Sequence, residues 1–595
     1  MTEPSNVTPL RARLQSAEPP KRNGVLPDDC PVRALGVQGD VYFYLDAKAQ
    51  LRPLRFDKHS RSAIVSLFQG NIDYILSKDR WQRRDDDGNI KGIRPEAIAD
   101  DLMRAAAEAG IFSPDGRLRG RGAWSGTDND LVLHLGDALW IKGKIAPCGV
   151  RGDSIYAVLP PRPYPSREAQ PGGPGGPAFE LHGLLQKWRW KRPGTDDRLL
   201  LGWVCAAKIG GALAWRPSAW LTGGRGCGKS TLQGLLRDLF VNRQGIVSVT
   251  NPTEAGLRQA LRHDAIPVAL DEFEAKADNS RAQQVLDLAR DASSGGEILR
   301  GGTDHAAQSF TVRSSLLFSS INAPPMPPAN RSRIAFLHLE RLERGSKPPP
   351  LKPDALRELG QRLLRRLADQ WPHSAGRLET WREALQARGY DARQQDQFGT
   401  LLAAADLALH DDAPDSDTID QVAGDLVNGS TEERANEIED WAACLQHLTS
   451  AVSPAWRGGE QRTVGTLVAI AAGDEIIEVY DSERDTVRVR AADASEQIAA
   501  SNMLATVGLR VLPVPDDAAP RMVAIANLHT GLNHLFADSH WKGGSGDEGV
   551  WRQALLHCPG ARASTGTVKF RGVTQRAVLV PLSAVLGQPE PDRSE

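Results

Sequence analysis

The sequence is poor in three features that would classify a protein at once: paired cysteines, long apolar runs and net charge. Its 595 residues include six cysteines and no C-x-x-C pair, so neither a zinc ribbon nor a disulfide framework is indicated. Scattered thiols suit a reducing compartment, and we expect a cytoplasmic protein. The six thiols belong to Cys30, Cys148, Cys205, Cys227, Cys444 and Cys558.

The apolar residues are spread along the chain and form no membrane-length segment. The most apolar stretch, 199–221, is interrupted by Lys208 and Arg216, so no membrane partner is expected. Residues 1–20 hold no apolar core of the kind a signal peptide needs. The net charge of −2 excludes a globally basic protein. Any contact with nucleic acid must therefore come from a local surface.

A glycine-rich loop is the strongest signal that the sequence does contain. Residues 223–230 read GGRGCGKS and fit G-x-x-x-x-G-K-[ST], between a short apolar strand at 219–222 and a helix with apolar spacing at 231–240. Backbone N–H groups of such a loop cradle phosphates, and a Cβ would block their close approach. The predicted nucleotide-binding residues are Gly223, Gly224, Gly226, Cys227, Gly228, Lys229, Ser230 and Thr231.

A second apolar run, 265–272, ends in two carboxylates and is typical of a Walker B strand. The carboxyl ends of parallel strands are where ligands bind in such sheets. Lys229 is expected to neutralise the β- and γ-phosphates of ATP, and Ser230 and Asp271 to hold Mg²⁺. Glu272 is expected to orient and polarise the attacking water. The predicted cofactors are therefore ATP and Mg²⁺.

Two further groups follow in the same order along the chain. A third apolar strand, 313–322, ends in Asn322, whose amide could hydrogen-bond both the γ-phosphate and the attacking water. Arg331 and Arg333 stand just before another strand. An arginine in such a place can serve as a finger supplied by a neighbouring subunit, and the alternative is a capping or surface role.

This order of motifs resembles the superfamily 3 helicases, and among them the D5-like AAA+ helicases of phages and integrated elements, often described as primase-helicases. The resemblance covers about residues 199–339. It implies a homo-oligomeric ring, a hexamer, that passes one DNA strand through a central pore during phage or mobile-element replication. It also implies that 294–305 forms a pore hairpin in which Arg300 and His305 face DNA, that Asn322 is a sensor, and that Arg333, or else Arg331, is the finger. No primase metal triad or zinc ribbon precedes the ATPase, so primase activity is not expected.

The predicted fold is multidomain α/β, built around a P-loop AAA+ ATPase with a parallel sheet. An α+β N-terminal domain precedes the ATPase, and a helical collar and a winged-helix-like domain follow it. In chain order we predict a disordered tail (1–28), the N-terminal domain (29–159), a Pro/Gly linker (160–177), the ATPase (178–345), a helical lid or collar (346–430), an α+β segment with helices at 463–477 and 487–503 (431–520), and the winged-helix-like domain (521–595).

Two basic regions outside the ATPase keep two interpretations each. The last domain shows helices at 527–536 and 549–558 and β runs at 566–571 and 575–581 joined through Gly572, which is typical of a winged helix. There Lys569, Arg571 and Arg576 could contact the phosphates of duplex DNA, or the domain could dock a subunit or partner. The RLRGRGAW stretch at 117–124 could contact a DNA strand or be a hairpin with exposed arginines.

Four functions fit these motifs to different degrees. The leading one is an ATP-dependent, ring-forming DNA helicase or translocase. A second keeps ATP hydrolysis without unwinding, in a DNA-remodelling or loading factor. A third is a DNA-binding regulator whose assembly the nucleotide stabilises. A small-molecule kinase fits least, because Asn322 and Arg333 would then have no role.

Overall fold

A computed structural model describes residues 25–274, 279–301, 307–324, 326–342, 352–435, 439–453, 462–473, 475–481, 486–513, 520–537, 539, 541–543 and 549–587. The chain forms two compact units, Met1–Ser430 and Thr431–Glu595. Of the predicted tail, residues 1–24 lie outside the described residues. No helix in these ranges combines the length and the apolarity that crossing a bilayer requires.

The first part of unit one is an α+β arrangement of small antiparallel sheets, as the aromatic alternation of 41–45 and the periodic run after Pro95 predict. Its sheets are β1-β2-β3, β4-β5, β6-β7-β8-β9 and β10-β11. The strands and helices are β1 (Arg33–Gln38), β2 (Val41–Leu45), β3 (Leu51–Arg55), α1 (Arg61–Leu67), α2 (Ile72–Leu76), β4 (Gln82–Arg84), β5 (Ile90–Ile93), α3 (Pro95–Ala109), β6 (Gly122–Ser125), β7 (Leu131–His134), β8 (Ala138–Ile141), β9 (Lys144–Pro147), β10 (Gly149–Arg151) and β11 (Ser154–Tyr156).

The Pro/Gly-rich segment 160–177 does not behave as the free linker that its composition suggests. Its backbone bonds to neighbouring helices, with Ser166 N–H donating to the Gln361 carbonyl at 3.1 Å and Gly173 N–H to the Leu409 carbonyl at 2.6 Å. Arg162 within it is buried. Helices α4 (Pro177–Leu185) and α5 (Asp196–Lys208) follow, and Trp188 and Trp190 between them are buried. These tryptophans are therefore core residues and not a basic-aromatic surface.

The centre of unit one is a five-stranded parallel sheet in the order β13-β14-β17-β12-β18. Four of its strands, β12, β14, β17 and β18, are mostly apolar and buried, as is typical of strands covered on both faces, whereas the edge strand β13 is only half-buried. Trp220 lies in the middle of one face, stacked on Phe318 at 4.7 Å and on Phe336 at 5.7 Å between ring centroids. The elements are β12 (Ser218–Thr222), α6 (Lys229–Phe240), β13 (Val247–Thr250), α7 (Glu254–Leu261), β14 (Val268–Asp271), α8 (Ser280–Ser294), β15 (Glu297–Gly301), β16 (Ala307–Thr311), β17 (Leu316–Ser320), α9 (Pro328–Arg331) and β18 (Ile334–His338).

All five strands point the same way, so the sheet has one carboxyl edge and one amino edge. Thr222, Thr250, Asp271, Ser320 and His338 end their strands at the carboxyl edge. The hairpin of β15 and β16, which pair in antiparallel register, precedes β17 and therefore leaves from the amino edge.

Four helices follow β18 in the chain. Leu363, Leu367 and Trp381 on these helices are buried core residues. Asp391 begins α12 with a capping box, in which Gln394 bonds back to the cap. The helices are α10 (Pro353–Gln370), α11 (Ser374–Gln386), α12 (Ala392–Leu409) and α13 (Ser416–Ala435).

Unit two is α+β, with its own core around Leu504, Ile525, Phe536 and Trp551. Two predictions are wrong here. Residues 475–477 and 487–491, the predicted ends of two helices, belong to an antiparallel hairpin of 475–481 and 486–491. Residues 577–581 pair inside a four-stranded sheet, β21-β22-β26-β23, and not with 568–570. The elements are α14 (Asp440–Ser450), α15 (Val464–Ala472), β19 (Glu475–Asp481), β20 (Thr486–Ala491), α16 (Ala494–Thr506), β21 (Leu509–Val511), β22 (Met522–Ala526), α17 (Thr530–Leu535), α18 (Trp551–Leu556), β23 (Arg562–Ala563), β24 (Val568–Phe570), β25 (Val573–Gln575), β26 (Ala577–Pro581) and α19 (Leu582–Leu586).

Candidate active site

The glycine-rich loop connects the carboxyl end of β12 to the amino end of α6, as the sequence predicts. Gly228 precedes the helix at φ 86°, a left-handed conformation that favours glycine. A Cβ on Gly223 would lie 2.4 Å from the Leu339 carbonyl oxygen, and one on Gly228 would lie 2.8 Å from Nε1 of Trp188. That indole also donates to the Gly228 carbonyl at 3.1 Å. The loop is therefore fixed from below by packing that only glycine permits.

Lys229 is the first residue of α6 and turns back over the loop. Its ammonium donates to the carbonyl oxygen of Gly223 and lies 3.5 Å from that of Gly224. Ser230 and Thr231 follow in the first helical turn, and the Ser230 side chain is exposed. The free N–H groups of that turn give the loop the character of an anion-binding helix terminus.

Asp271 ends β14, and Glu272 stands directly after it with a backbone φ of 54°. A non-glycine residue in the left-handed region is strained, and such strain is concentrated at functional sites. Two bonds hold the turn in place. The Glu272 N–H donates to Oδ1 of Asp271 at 3.0 Å, and the Phe273 N–H donates to the Ser319 carbonyl at 2.8 Å. The backbone that carries the exposed Glu272 carboxylate is therefore held in one position.

The end of β17 is held by a carboxylate that the sequence analysis did not select. Glu274 accepts the Ile321 N–H at 2.5 Å on Oε1 and the Asn322 N–H at 3.0 Å on Oε2. Asn322 itself is exposed and lies one residue beyond the part of this segment that lines the cleft. The predicted sensor is thus next to the site, with its backbone fixed by Glu274.

These strand ends and the loop surround one cleft of about 830 Å³. On one side lie Gly224–Thr231, and on the other lie Asp271, Glu272 and Glu274, with Ser319–Ile321 between them. The structure therefore brings the predicted loop and the predicted acidic pair together. Cationic and N–H-rich groups face carboxylates across the cleft, which is the charge arrangement that a phosphate–Mg²⁺ unit requires.

Sequence reasoning missed Thr250, Asn251 and Glu274, which also line this cleft. Thr250 and Asn251 stand at and just after the carboxyl end of β13. The rule that selected Asp271 would have found these two had it been applied to every strand of the sheet.

Arg331 and Arg333 lie at the other edge of the sheet. Arg333 directly precedes β18, and Ile334, the first residue of that strand, pairs with Ser218, the first residue of β12. At about 3.3 Å per residue, β12 places roughly 13 Å between this edge and the loop. The Arg333 guanidinium donates to the Ala329 carbonyl and lies 6.0 Å from the Trp215 ring, and burial lowers its pKa. Arg331 is exposed, with its guanidinium 4.6 Å from the Phe336 ring.

The residues predicted to face DNA fall into two groups. Arg300 is in β15 opposite Gln308, and His305 lies outside the described residues. Lys569, Arg571 and Arg576 are exposed in unit two. Lys569 lies in the hairpin of β24 and β25, Arg571 occupies its turn, and Arg576 follows it.

The cleft offers Mg²⁺ hard oxygen ligands from Ser230 and Asp271, which suit that ion. Within the described part of the chain, no three His, Cys, Asp or Glu side chains converge on a common metal position. Any ion at this cleft would therefore have few protein ligands. It would take its remaining ligands from phosphates and water, as Mg²⁺ at nucleotide sites does.

No protein-family model matches the sequence, and no curated protein matches it. Among solved structures, the apo structure of the NrS-1 C-terminal region (305–718) is 11% identical at a TM-score of 0.35 and covers 92% of this chain and 96% of that one. Its A form is 11% identical at 0.30, over 77% and 96%. A JCV helicase bound to a thiazolopyridine acetamide is 14% identical at 0.20, over 43% and 60%. Likenesses this low carry no argument, and the function has to be argued from the site.

Proposed function

We propose that this chain is an ATP-dependent DNA helicase or translocase that works as a homo-oligomeric ring, a hexamer, in the replication of a phage or mobile element. The observation that carries the proposal is the cleft in which the loop of Lys229 and Ser230, after β12, faces Asp271 and Glu272, at the end of β14, with the end of β17 between them. A cleft with these groups favours hydrolysis of a nucleoside triphosphate.

Each residue of the cleft has a distinct part in that reaction. The loop N–H groups and Lys229 bind the phosphates, which holds the γ-phosphorus in line for attack. Mg²⁺, held by Ser230 and Asp271, would supply charge neutralisation at the β- and γ-phosphate oxygens. Glu272 orients and polarises the attacking water from its strained backbone position. Glu274 positions Asn322 by fixing its backbone N–H.

The distance between the cleft and the two arginines supports the proposed ring. Arg331 and Arg333 lie at the amino edge of the sheet, whereas the cleft lies at its carboxyl edge. The length of β12 separates the two edges, so these side chains are too remote to complete the cleft of their own chain. A neighbouring copy could present them to that cleft, as an arginine finger in trans. Of the two we favour Arg331, because its side chain is exposed whereas Arg333 is partly buried and bonded to Ala329.

The DNA contacts are proposed on two elements. The hairpin of β15 and β16, which carries Arg300, is one; repeated around a ring, it would line a pore for a single strand. The other is unit two, where the stretch 549–587 contains five Lys or Arg residues and no Asp or Glu. We propose that two short helices, α17 and α18, and the hairpin of β24 and β25 form a winged-helix-like reader of duplex DNA.

Two assays test the function directly. Steady-state ATP hydrolysis, with and without single-stranded DNA, is expected to require Lys229 and to rise when DNA is present. Strand displacement from a forked duplex is expected to require hydrolysis. Hydrolysis with no displacement would favour the remodelling or loading ATPase, and no hydrolysis by wild type beyond that of Lys229→Ala would leave only a regulator.

A further inference from the structure

A second large cleft, of about 900 Å³, lies in unit one between the N-terminal sheets and the parallel sheet. One wall is the segment 118–121, and the opposite wall is 259–264, which ends α7 and leads into β14. We call it the Arg119 cleft. It lies at the amino edge of the sheet, away from the nucleotide cleft at the carboxyl edge.

Most contacts of the RLRGRGAW stretch (residues 117–124) have a structural role. A Cβ on Gly120 would lie 2.4 Å from the His263 carbonyl, and Gly122 bridges to Ala265. Arg121 gives Asp264 a backbone N–H at 2.6 Å and two guanidinium bonds at 2.9 and 2.6 Å. Arg121 and the glycines therefore join the N-terminal sheets to the segment before β14.

With Asp264 neutralised by Arg121, the cleft retains an excess of positive charge. Arg119 and Arg262 line it, and neither has a carboxylate partner within the part of the chain that the structure describes. His263 lines it as well; burial lowers the pKa of His263, and the charge of Asp115 acts on that imidazole in the opposite direction. The cleft is thus a partly enclosed site with at least two uncompensated guanidinium groups.

Two neighbouring arginines extend this positive region. Arg162 is buried two residues along the chain from Pro160, which lines the cleft, and among the described residues its Nε has no hydrogen-bond partner. Burial lowers the pKa of Arg313, and the nearby charge of Arg119 acts in the same direction. Arg313 stands two residues after the hairpin of β15 and β16. The positive region therefore runs from the root of that hairpin to the cleft.

The lining also indicates which part of a ligand would be held. The Arg119 guanidinium lies over the Trp124 ring, 4.8 Å from its centroid, and Trp124 is buried, so its face is not open to a base. Among the described residues that line the cleft, none is aromatic, so these residues offer bases no stacking platform. Arg119 gives its Nε–H to Oγ of Ser154 at 3.4 Å. The terminal amino groups of a guanidinium suit phosphate oxygens, which they bind with two parallel hydrogen bonds.

We propose that the Arg119 cleft binds the sugar-phosphate backbone of single-stranded DNA through Arg119 and Arg262, as a second contact for the strand that the hairpin engages. This proposal rests on the proposed function for the identity of the strand. It assigns the N-terminal part of the chain a direct role in holding DNA. Because phosphates and not bases are recognised, binding at the cleft is independent of sequence and sensitive to salt.

The test compares two double variants of the full chain with the same change in charge. Arg119→Gln with Arg262→Gln removes the cleft cations, and Arg61→Gln with Arg83→Gln removes two exposed cations elsewhere in the N-terminal part. Affinity for fluorescent oligo-dT is measured by anisotropy over a salt series. Two lost phosphate contacts are expected to weaken binding about tenfold and to reduce the slope of log K against log salt by about 1.4. The control pair is expected to resemble wild type.

Two further measurements separate a binding role from a folding role. Arg119→Lys keeps the charge and is expected to retain most of the affinity, and DNA-independent ATP hydrolysis is expected to be unchanged in all variants. A photocrosslinking amino acid in place of Gln259, on the cleft wall, is expected to capture oligo-dT, whereas one in place of Gln38 is not. Equal affinities and slopes for the two double variants, or no crosslink at position 259, would overturn the proposal while leaving the helicase function standing. Failure of wild type to bind oligo-dT would overturn both.

Discussion

Arg121 and Asp264 form an ion pair between the N-terminal sheets and the segment that leads into β14, in which Nε and Nη2 of Arg121 both donate to Oδ2 of Asp264, at 2.9 and 2.6 Å. Both side chains are largely buried, with 16% and 9% exposure. Since β14 ends in Asp271, one contact links the N-terminal part of the chain to the strand that carries the acidic pair of the nucleotide cleft.

We predict that Asp264→Asn destabilises the protein by about 3 kcal/mol, because it leaves a buried guanidinium without its counter-charge. Thermal or urea unfolding of the full chain measures this. The matched control is Asp40→Asn, which breaks the exposed pair of Arg55 and Asp40 at 60% and 48% exposure, and which should cost at most about 1 kcal/mol. Similar losses for the two variants would contradict a structural role for the Arg121–Asp264 pair.

The chemistry predicts different failures for Lys229→Ala and Glu272→Gln. Lys229→Ala is expected to lose both ATP binding and turnover, since it removes the charge that faces the phosphates. Glu272→Gln is expected to bind ATP and to lose turnover by about a hundredfold or more, because the amide cannot polarise water. Equilibrium binding of a fluorescent ATP analogue and steady-state hydrolysis separate the two. Retained hydrolysis in Glu272→Gln would show that another group activates the water, and Glu274 would be the first to test.

A mixing experiment decides between the two arginines. Arg331→Ala is expected to be inactive alone and to regain hydrolysis when mixed with Glu272→Gln, because an intact cleft can then face an intact arginine of the other variant. In an equal random mixture roughly a quarter of the interfaces combine these two intact halves. Arg333→Ala is expected to lose stability because its guanidinium holds the Ala329 carbonyl. No rescue of Arg331→Ala, with assembly intact by light scattering, would count against a finger in trans.

Replacing Arg571, in the turn of the hairpin of β24 and β25, by asparagine is expected to raise the stability of unit two and to lower its affinity for duplex DNA. Phe570 pairs with Val573, so Arg571 and Gly572 form a two-residue turn with φ values of 36° and 94°. Two positive φ values are typical of a type I′ turn, where asparagine is favoured over arginine. Arg571→Asn is therefore expected to stabilise unit two by about 1 kcal/mol and to weaken duplex DNA binding, with the salt slope reduced by about 0.9.

Arg571→Gln is the control for that variant, since it removes the same charge without favouring the turn. It is expected to lose the same affinity and to gain no stability. If Arg571→Asn binds duplex DNA as wild type does across the salt series, the turn does not contact phosphate, and docking of a subunit or partner becomes the better account of unit two.

Much of the nucleotide cleft was predictable because its signals are local. The loop at 223–230 carries its glycines, lysine and serine in one short stretch, and the apolar run before Asp271 reads as a buried strand. Glu274 was missed for a different reason. Its function depends on the N–H groups of Ile321 and Asn322, which are far from it in sequence, and no local pattern reports such a partner.

The failures elsewhere have the same physical origin. Residues 160–177 have a linker composition, but their N–H groups bond to the distant Gln361 and Leu409. At 475–491, apolar residues occur at spacings that fit either a helix or a strand. The chain forms a hairpin there because β19 and β20 pair with each other. The strand Ala577–Pro581 follows a hairpin yet pairs with β22, because its buried side chains are placed in the core of the sheet. Long-range pairing overrides local order in each case.

Lys208 gives a prediction for the pH dependence of stability. It is buried with its ammonium 4.4 Å from the Phe240 ring, and burial, together with the charge of Arg162, lowers its pKa from 10.5 to about 7. Above that pH the folded protein releases a proton that the unfolded chain keeps until about pH 10.5, so this group makes stability rise with pH between about 7 and 10.5. Lys208→Met, which keeps the volume without the charge, should lack this rise, whereas the exposed control Lys187→Met should retain it. Urea unfolding at several pH values measures both slopes, and equal slopes for wild type and Lys208→Met would show that Lys208 stays protonated in the folded protein.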